Sequence, residues 1–117
     1  MREIINLTPH DINVVDDNGN VHTFPRSGTI ARVDTHTEYH RGWEVYEGED
    51  VWIPLAHERD GEVIDLPEPK DGVDYIVSAR VRNAVPHRKD VFSPGGLVRD
   101  DDGKVVGCSC LVGNPWN

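Results

Sequence analysis

Cationic side chains concentrate in one stretch of this acidic chain, ARVRNAVPHRKD at 79–90. Four of the chain's twelve Lys and Arg residues lie within it: Arg80, Arg82, Arg88 and Lys89. The whole 117-residue chain has 21 Asp and Glu residues and a formal net charge of −9. A guanidinium group is planar and binds carboxylates or phosphates through two parallel hydrogen bonds. The stretch therefore predicts either a set of structural ion pairs or a site for an anion.

These two interpretations assign different partners to the arginines. In the first, Arg–carboxylate pairs pin the C-terminal hairpin to the loop before it: Arg88 with Asp90, and Arg99 with Asp100. In the second, arginines from separate segments converge on a small phosphate- or nucleotide-like anion, and the acidic remainder of the surface sharpens the positive spot. The candidate ligand-binding residues are then Arg32, Arg88, Arg99, Asp90, His10 and Ser78.

The local chain direction separates the arginines into two groups. Arg80 and Arg82 flank Val81, which we place in the core, so both should emerge towards solvent. There they should meet the acidic 44–50 segment or water, and each should be individually dispensable. Arg88 lies beyond the break at a proline and two residues before Asp90. A rigid loop there can aim it inward at the hairpin that carries Arg99 and Asp100. A partly buried Arg must be paired, so we expect Arg88 to matter most.

Other reactive side chains do not form a recognisable metal-binding pattern. Cys108 and Cys110 are two residues apart, whereas zinc sites usually bring paired C-x₂-C ligands. His36 and His40 would lie about 13 Å apart on a strand, too far to share an ion. We therefore predict no metal and no cofactor, and we interpret the two cysteines as buried structural thiols.

Two classes of function follow from these residues, and a third is less favoured. The chain is either a small soluble module that holds an anion in an Arg-lined pocket, or an acidic module that engages a basic protein partner, with purely structural arginines. The third is an enzyme that uses His10 with Asp90, but no nucleophile motif accompanies them. His10 could equally anchor the turn at NLTPH. The net charge argues against general nucleic-acid binding.

Turn and cap residues predict the elements that position these side chains. Three pairs supply the positive φ of a tight hairpin turn: Asn18-Gly19, Asp60-Gly61 and Asp102-Gly103. Ser78 is predicted to cap a short helix near 79–85, in preference to a strand that continues through Val81, because Ala, Arg and Asn suit a helix better. The segment FSPGGLV at 92–98 is predicted to be a loop, and 36–50 a long loop or irregular hairpin.

Alternating apolar residues predict a mainly β chain that forms a single domain over 1–117. The predicted strands lie at about 3–7, 12–16, 21–24, 29–35, 43–46, 50–56, 62–66, 74–78, 96–100 and 104–111. We expect a small barrel or sandwich of short antiparallel strands with one short helix. Trp43, Trp52 and Tyr75 should be buried or rim a groove, and Trp116 should dock over an edge strand.

Motifs near both ends give a resemblance to a known family. INLTPH at the start, SGTIAR in the first third, and PHRKD with PGGLVRD and GC near the end are the matching segments. With them the chain resembles a family of small uncharacterised proteins of bacteria, archaea and their tailed phages. The resemblance covers most of the chain except 36–60, and it implies a phage or prophage origin but no mechanism.

The expected location is the cytoplasm, or the host cytoplasm for a phage-encoded protein. No apolar run approaches the roughly 18 residues of a membrane span. The first residues, MREIINLTPHD, lack the apolar core of a secretory signal. We therefore expect no membrane partner.

Overall fold

The computed structural model describes residues 2–42, 45–46 and 48–116. In chain order its elements are β1 (Glu3–Asn6), β2 (Ile12–Val15), β3 (Val21–Phe24), β4 (Arg32–Arg41), β5 (Val45–Tyr46), β6 (Glu49–Asp50), β7 (Pro54–Ile64), β8 (Val73–Ile76), α1 (Ala79–Ala84), β9 (Val91–Arg99) and β10 (Val105–Gly113). The prediction of a mainly β chain with one short helix is confirmed. Within the described residues, no helix has the length and apolarity that crossing a bilayer would require.

Six strands form one mixed sheet in the order β1-β8-β9-β10-β2-β3. The hairpin pairs β2–β3 and β9–β10 are antiparallel, as expected, whereas β1–β8, β8–β9 and β10–β2 are parallel. Parallel neighbours become possible where long connections separate the strands, because no tight turn then forces the chain to reverse. The described strands form no closed barrel; a single isolated backbone bridge, between Asn6 and Arg26, joins the region of the two sheet edges.

Two of the three predicted hairpin turns are confirmed. Gly19 has φ 82° in the turn between β2 and β3, and Gly103 has φ 80° in the turn between β9 and β10. In each turn the carboxylate of an aspartate accepts a hydrogen bond from the backbone N–H four residues later. Asp16 accepts from Asn20 at 2.9 Å, and Asp100 accepts from Lys104 at 3.0 Å. These short-range bonds are typical of Asx turns.

The third predicted turn, Asp60-Gly61, is wrong because both residues lie inside β7. The register between β4 and β7 slips there: Val33 faces Val63, but Thr35 faces Asp60, so β7 carries one extra residue. A glycine suits such a bulge. A Cβ on Gly61 would lie 2.9 Å from the ring of His36 in β4. The close approach of this ring to the backbone explains why a glycine occupies the position.

The predicted loop at 92–98 is also wrong, since β9 continues through it. Pro94 lies opposite Leu111 of β10. On its other side β9 pairs with β8 only at Val91 and Phe92, so Pro94 falls where that edge is unpaired. A strand tolerates a proline at such an edge because no ladder hydrogen bond is lost there.

The main core lies between the sheet and α1. Val73, Tyr75 and Val77 alternate along the chain and are at most 5% exposed, and Val81 of α1 covers them at 1%. Ser78 caps the helix as predicted: its side chain accepts a hydrogen bond from the Val81 N–H at 3.3 Å. The burial of Tyr75 confirms one of the aromatic predictions.

β4 and β7 form a separate two-stranded ribbon, so 36–41 belongs to a long strand rather than to a loop. Within 45–50 the short strands β5 and β6 form a hairpin, as predicted for that segment. Val33 and Val63 pack its base against the core. The radius of gyration is 19.3 Å, although a compact chain of this length has about 13 Å, so the ribbon projects from the body. Trp43 lies outside the described residues, and Trp52 is 48% exposed and lines a hollow near the ribbon.

Candidate functional site

A groove opens on the sheet face that points away from the core. Successive strand residues point to opposite faces, so Asp74 faces away from its buried neighbours in β8, and Phe92 does the same in β9. The groove has a volume of about 590 Å³. We call it the cationic groove, and its lining is Arg2, Pro69, Asp74, His87, Arg88, Lys89, Asp90, Phe92 and Trp116.

Arg88 and Asp90 form a bidentate ion pair in the groove wall. Arg88 Nε and Nη2 donate to the two carboxylate oxygens of Asp90, both at 2.8 Å, and Nη2 also donates to the Pro67 carbonyl at 2.9 Å. Their side chains are only 12% and 16% exposed. The hydrogen bonds to Arg88 hold the pKa of Asp90 below its ordinary value and raise the pKa of Arg88. Arg88 thus points inward, but its partners are Asp90 and Pro67 rather than the predicted hairpin of Arg99 and Asp100.

A second pair, which sequence reasoning missed, lies beside the first. Arg2 Nε and Nη2 donate to the carboxylate of Asp74 at 2.7 and 2.8 Å, and these bonds raise the pKa of Arg2. Arg2 also lowers the pKa of Asp90 electrostatically. The parallel pairing of β1 with β8 places Arg2 beside Asp74. No local sequence pattern predicts that a residue pairs with another 72 positions away.

The C-terminal segment completes the groove. Lys89 Nζ donates to the carbonyls of Pro86, at 3.3 Å, and Pro115, which holds the last described residues close to the loop before β9. Trp116 follows and is 88% exposed, so it is outside the core as predicted, but it does not dock over an edge strand. The groove lining thus combines two aromatic rings with three permanent cations and two carboxylates, a net charge of +1 before any contribution from His87.

The other predicted ligand residues lie elsewhere. Arg32 is exposed at the first position of β4, opposite Ile64, and Arg99 donates to the Gly103 carbonyl at 2.9 Å within its own hairpin. Ser78 serves as the helix cap. None of these three lines the cationic groove, so the structure brings together only two of the predicted residues, Arg88 and Asp90.

His10 belongs to a buried turn rather than to the groove. Its side chain is exposed, and its backbone carbonyl accepts from Asn6 Nδ2 at 2.8 Å and from Thr8 Oγ1 at 2.9 Å. Asn6 also donates to the Phe24 carbonyl at 2.8 Å and accepts from the Thr8 hydroxyl at 2.7 Å. The NLTPH motif is therefore a clamp between β1 and β3, built by Asn6 and Thr8.

Arg80 is exposed as predicted, but Arg82 is not. Arg80 donates to Asp60 at 2.5 Å and to Thr35 at 2.9 Å, so its partners belong to the ribbon rather than to the predicted 44–50 segment. Arg82 is half-buried and donates through Nε to the hydroxyl of Ser93, which is 2% exposed. The prediction for Arg82 is wrong because the last turn of α1 lies over β9, which gives this side chain a buried partner.

Asn114 joins the end of α1 to the C-terminal segment and was also missed. It is 9% exposed, and its Nδ2 lies within 3.3 Å of the Arg82, Val85 and Arg88 carbonyls. The amide thereby satisfies acceptors that the end of a helix leaves unpaired. Asparagine is a common turn residue, so its type alone does not predict this long-range role.

The histidines and cysteines assemble no metal centre among the described residues. The rings of His40 and His57 contact each other edge to face, with centroids 5.1 Å apart. Cys108 is buried and its thiol donates to the Asn13 carbonyl at 3.3 Å. Cys110 is exposed, so the prediction of two buried thiols holds only for Cys108.

Comparisons with protein-family models, with curated proteins and with solved structures found no match for this chain. The resemblance to small proteins of bacteria, archaea and tailed phages therefore stays a prediction. Function has to be inferred from the chemistry of the groove.

Proposed function

We propose that the cationic groove binds a small anion that carries an aromatic group, such as a nucleotide. The proposal rests on the net charge of the groove lining, which is positive although the whole chain has a net charge of −9. A local positive site in an acidic surface attracts anions selectively. The groove volume of about 590 Å³ also falls in the range of small-molecule sites, roughly 300–1,000 Å³.

The groove residues divide into supporting and contacting groups. Arg88 donates three of its five N–H groups to Asp90 and Pro67, so its main role is to hold the wall of the groove in place. Arg2, whose side chain is 60% exposed, and Lys89 offer the remaining permanent charges for a phosphate, and His87 adds an exposed imidazole ring. Trp116, at 88% exposed, offers a large ring for stacking on a base.

The sequence resemblance adds a biological setting to this proposal. A phage-encoded protein that sequesters a nucleotide-like ligand in the host cytoplasm would need binding without catalysis. Arg99, His10 and Ser78 then act outside the ligand contact, in the turns and the cap that they occupy, and Arg32 lies exposed at the start of β4.

A thermal-shift panel tests the proposal directly. ATP, pyrophosphate and uncharged adenosine are added separately at low and high salt. A ligand at about a hundredfold its dissociation constant stabilises the fold by about 2.7 kcal/mol, or about 10 °C for a chain of this size. We expect ATP to give the largest shift, pyrophosphate a smaller one, and adenosine little, since it lacks the charge.

Matched variants locate the binding. Lys89→Gln keeps a donor for the Pro115 carbonyl but removes the charge, and Trp116→Ala removes the exposed ring. Both should reduce the shift, whereas Lys104→Gln, in the distant β9–β10 turn, should leave it unchanged. Identical responses of all three variants, or no response of the unmodified chain to any anion, would refute the proposal.

A further inference from the structure

A second hollow lies directly beside the cationic groove. We call it the side hollow; it has a volume of about 290 Å³ and is lined by Lys89, Phe92, Gly113, Asn114, Pro115 and Trp116. Lys89, Phe92 and Trp116 also line the groove, so the two spaces adjoin at these three side chains. Among the described residues, Lys89 is the only charged side chain in the lining of the side hollow, whereas five charged residues line the groove. A less polar space thus adjoins a positive one.

Ring surfaces form much of the wall of the side hollow. Phe92 and Gly113 lie opposite each other in the β9–β10 ladder, and a Cβ on Gly113 would lie 2.9 Å from the Phe92 ring. The glycine therefore allows this ring to lie against the backbone of β10. Pro115 and the exposed indole of Trp116 add two further rings. A flat aromatic group of a ligand can stack on such surfaces.

The polar side-chain groups of the side hollow are poorly suited to reading the edge of one particular base. Asn114 Nδ2 lies within hydrogen-bonding distance of three backbone carbonyls, and Oδ1 accepts from Arg82 Nη1 at 3.4 Å, so the amide is occupied. Lys89 is a point charge, which suits a phosphate. The indole N–H of Trp116 is a single donor. Selection of one base requires several donors and acceptors matched to its edge, and these side chains do not supply them.

We infer that the side hollow is a stacking subsite for the base of a nucleotide and that it accepts all four common bases. This inference rests on the proposed function of the groove. The phosphates lie in the cationic groove near Lys89 and Arg2, and the base stacks on Phe92 and Trp116. Stacking tolerates every base, because each base has a π-face. The chain therefore recognises nucleotides as a class, by an aromatic ring joined to phosphates, rather than one nucleotide.

Dissociation constants measured by isothermal titration calorimetry test this inference. The ligands are ATP, GTP, CTP, UTP and ribose 5-triphosphate, which keeps the sugar and the phosphates but lacks the base. The four nucleotides should bind within about fivefold of one another, since stacking does not depend on the base edge. Ribose 5-triphosphate should bind about tenfold more weakly, because it loses the stacking contact.

Matched variants assign the stacking to the side hollow. Trp116→Ala should weaken binding of the nucleotides about tenfold and leave ribose 5-triphosphate unchanged, and Trp116→Phe should restore most of the loss. Lys89→Gln should weaken every ligand, because its charge serves the phosphates. Leu97→Ala is the control: it removes another exposed apolar side chain, 69% exposed and outside both linings, and should bind like the unmodified chain. Trp116 and Leu97 are exposed, so their variants should keep the melting temperature.

The outcomes separate this inference from the proposed function. If neither the nucleotides nor ribose 5-triphosphate bind, both proposals are overturned. Three results would overturn the stacking subsite alone. They are equal affinities for ATP and ribose 5-triphosphate, a spread wider than about fivefold among the four nucleotides, and an equal loss of both kinds of ligand in Trp116→Ala.

Discussion

Replacing Arg88 with Ala should destabilise the chain far more than replacing Arg80 with Ala. Arg88 and its partner Asp90 are 12% and 16% exposed, and the variant leaves the Asp90 carboxylate largely buried without its bidentate partner. Removing one member of a buried pair costs about 3–5 kcal/mol. Because this pair borders an open groove, we expect a loss just below that range, about 2–3 kcal/mol, which corresponds to a fall in melting temperature of about 10 °C.

Urea denaturation of four proteins measures this cost. The unmodified chain is compared with Arg88→Ala, with Asp90→Ala and with the double variant, which together form a double-mutant cycle. We expect a coupling energy of about 2 kcal/mol and an unchanged denaturant slope, because the folded state keeps its compactness. Arg80→Ala serves as the control, since its ion pair with Asp60 is more than half exposed on both sides.

The pH dependence of the stability tests whether the loss comes from the Arg88–Asp90 ion pair. Arg88 lowers the pKa of Asp90 below its ordinary 3.8, so the folded chain binds fewer protons here than the unfolded chain. The stabilisation is therefore complete above that value and is lost as pH falls through the lower, folded pKa. The difference between the unmodified chain and Arg88→Ala should accordingly shrink in acid. A difference that stays constant from neutral pH into strong acid, or equal stabilities for Arg88→Ala and Arg80→Ala, would refute this reasoning.

Substitutions at three further positions test the supporting structure by chemical denaturation, with Gly19 as a control position. Ser78→Ala should cost about 1 kcal/mol because the helix loses its cap, and Ser78→Asp should restore the loss. Asn114→Ala should cost about 2 kcal/mol and speed hydrogen exchange at the end of α1, since the helix carbonyls lose their donor. Gly107→Ala should cost at least about 2 kcal/mol, because its Cβ would lie 2.7 Å from the Asn13 carbonyl oxygen of β2. Gly19→Ala strains a φ of 82° but meets open space, so it should cost only about 1 kcal/mol; equal losses at the two glycines would contradict the steric explanation.

Features that depend on neighbouring residues could be predicted from the sequence. The turns at Gly19 and Gly103 follow from Asx-Gly pairs that set the backbone angles locally. The Ser78 cap and the Arg88–Asp90 pair join atoms three and two residues apart. Contacts over such short separations need little chain ordering, so residue type and spacing are sufficient to anticipate them.

Where strands continue or break could not be predicted from local residue types. Asp60-Gly61 has the residues of a hairpin turn, but it lies in a bulge because β4 supplies a continuous partner on one side. Pro94 suggests a loop, but it lies in a strand whose edge is unpaired at that point. Both outcomes depend on which strand lies alongside, and a residue's local preference yields to that pairing.

The groove itself depends on long-range pairing. Alternation of apolar residues was sufficient to predict strands, but the parallel pairing of β1 with β8 brings Arg2 to Asp74 across 72 positions. The order of the sheet likewise places α1 over β9, which gives Arg82 a buried partner in Ser93. Local chemistry selects backbone angles, whereas strand order and register depend on how the whole chain buries its apolar faces at once. For that reason the sequence could identify Arg88 and Asp90 as a pair, and the folded chain was needed to reveal the groove that they border.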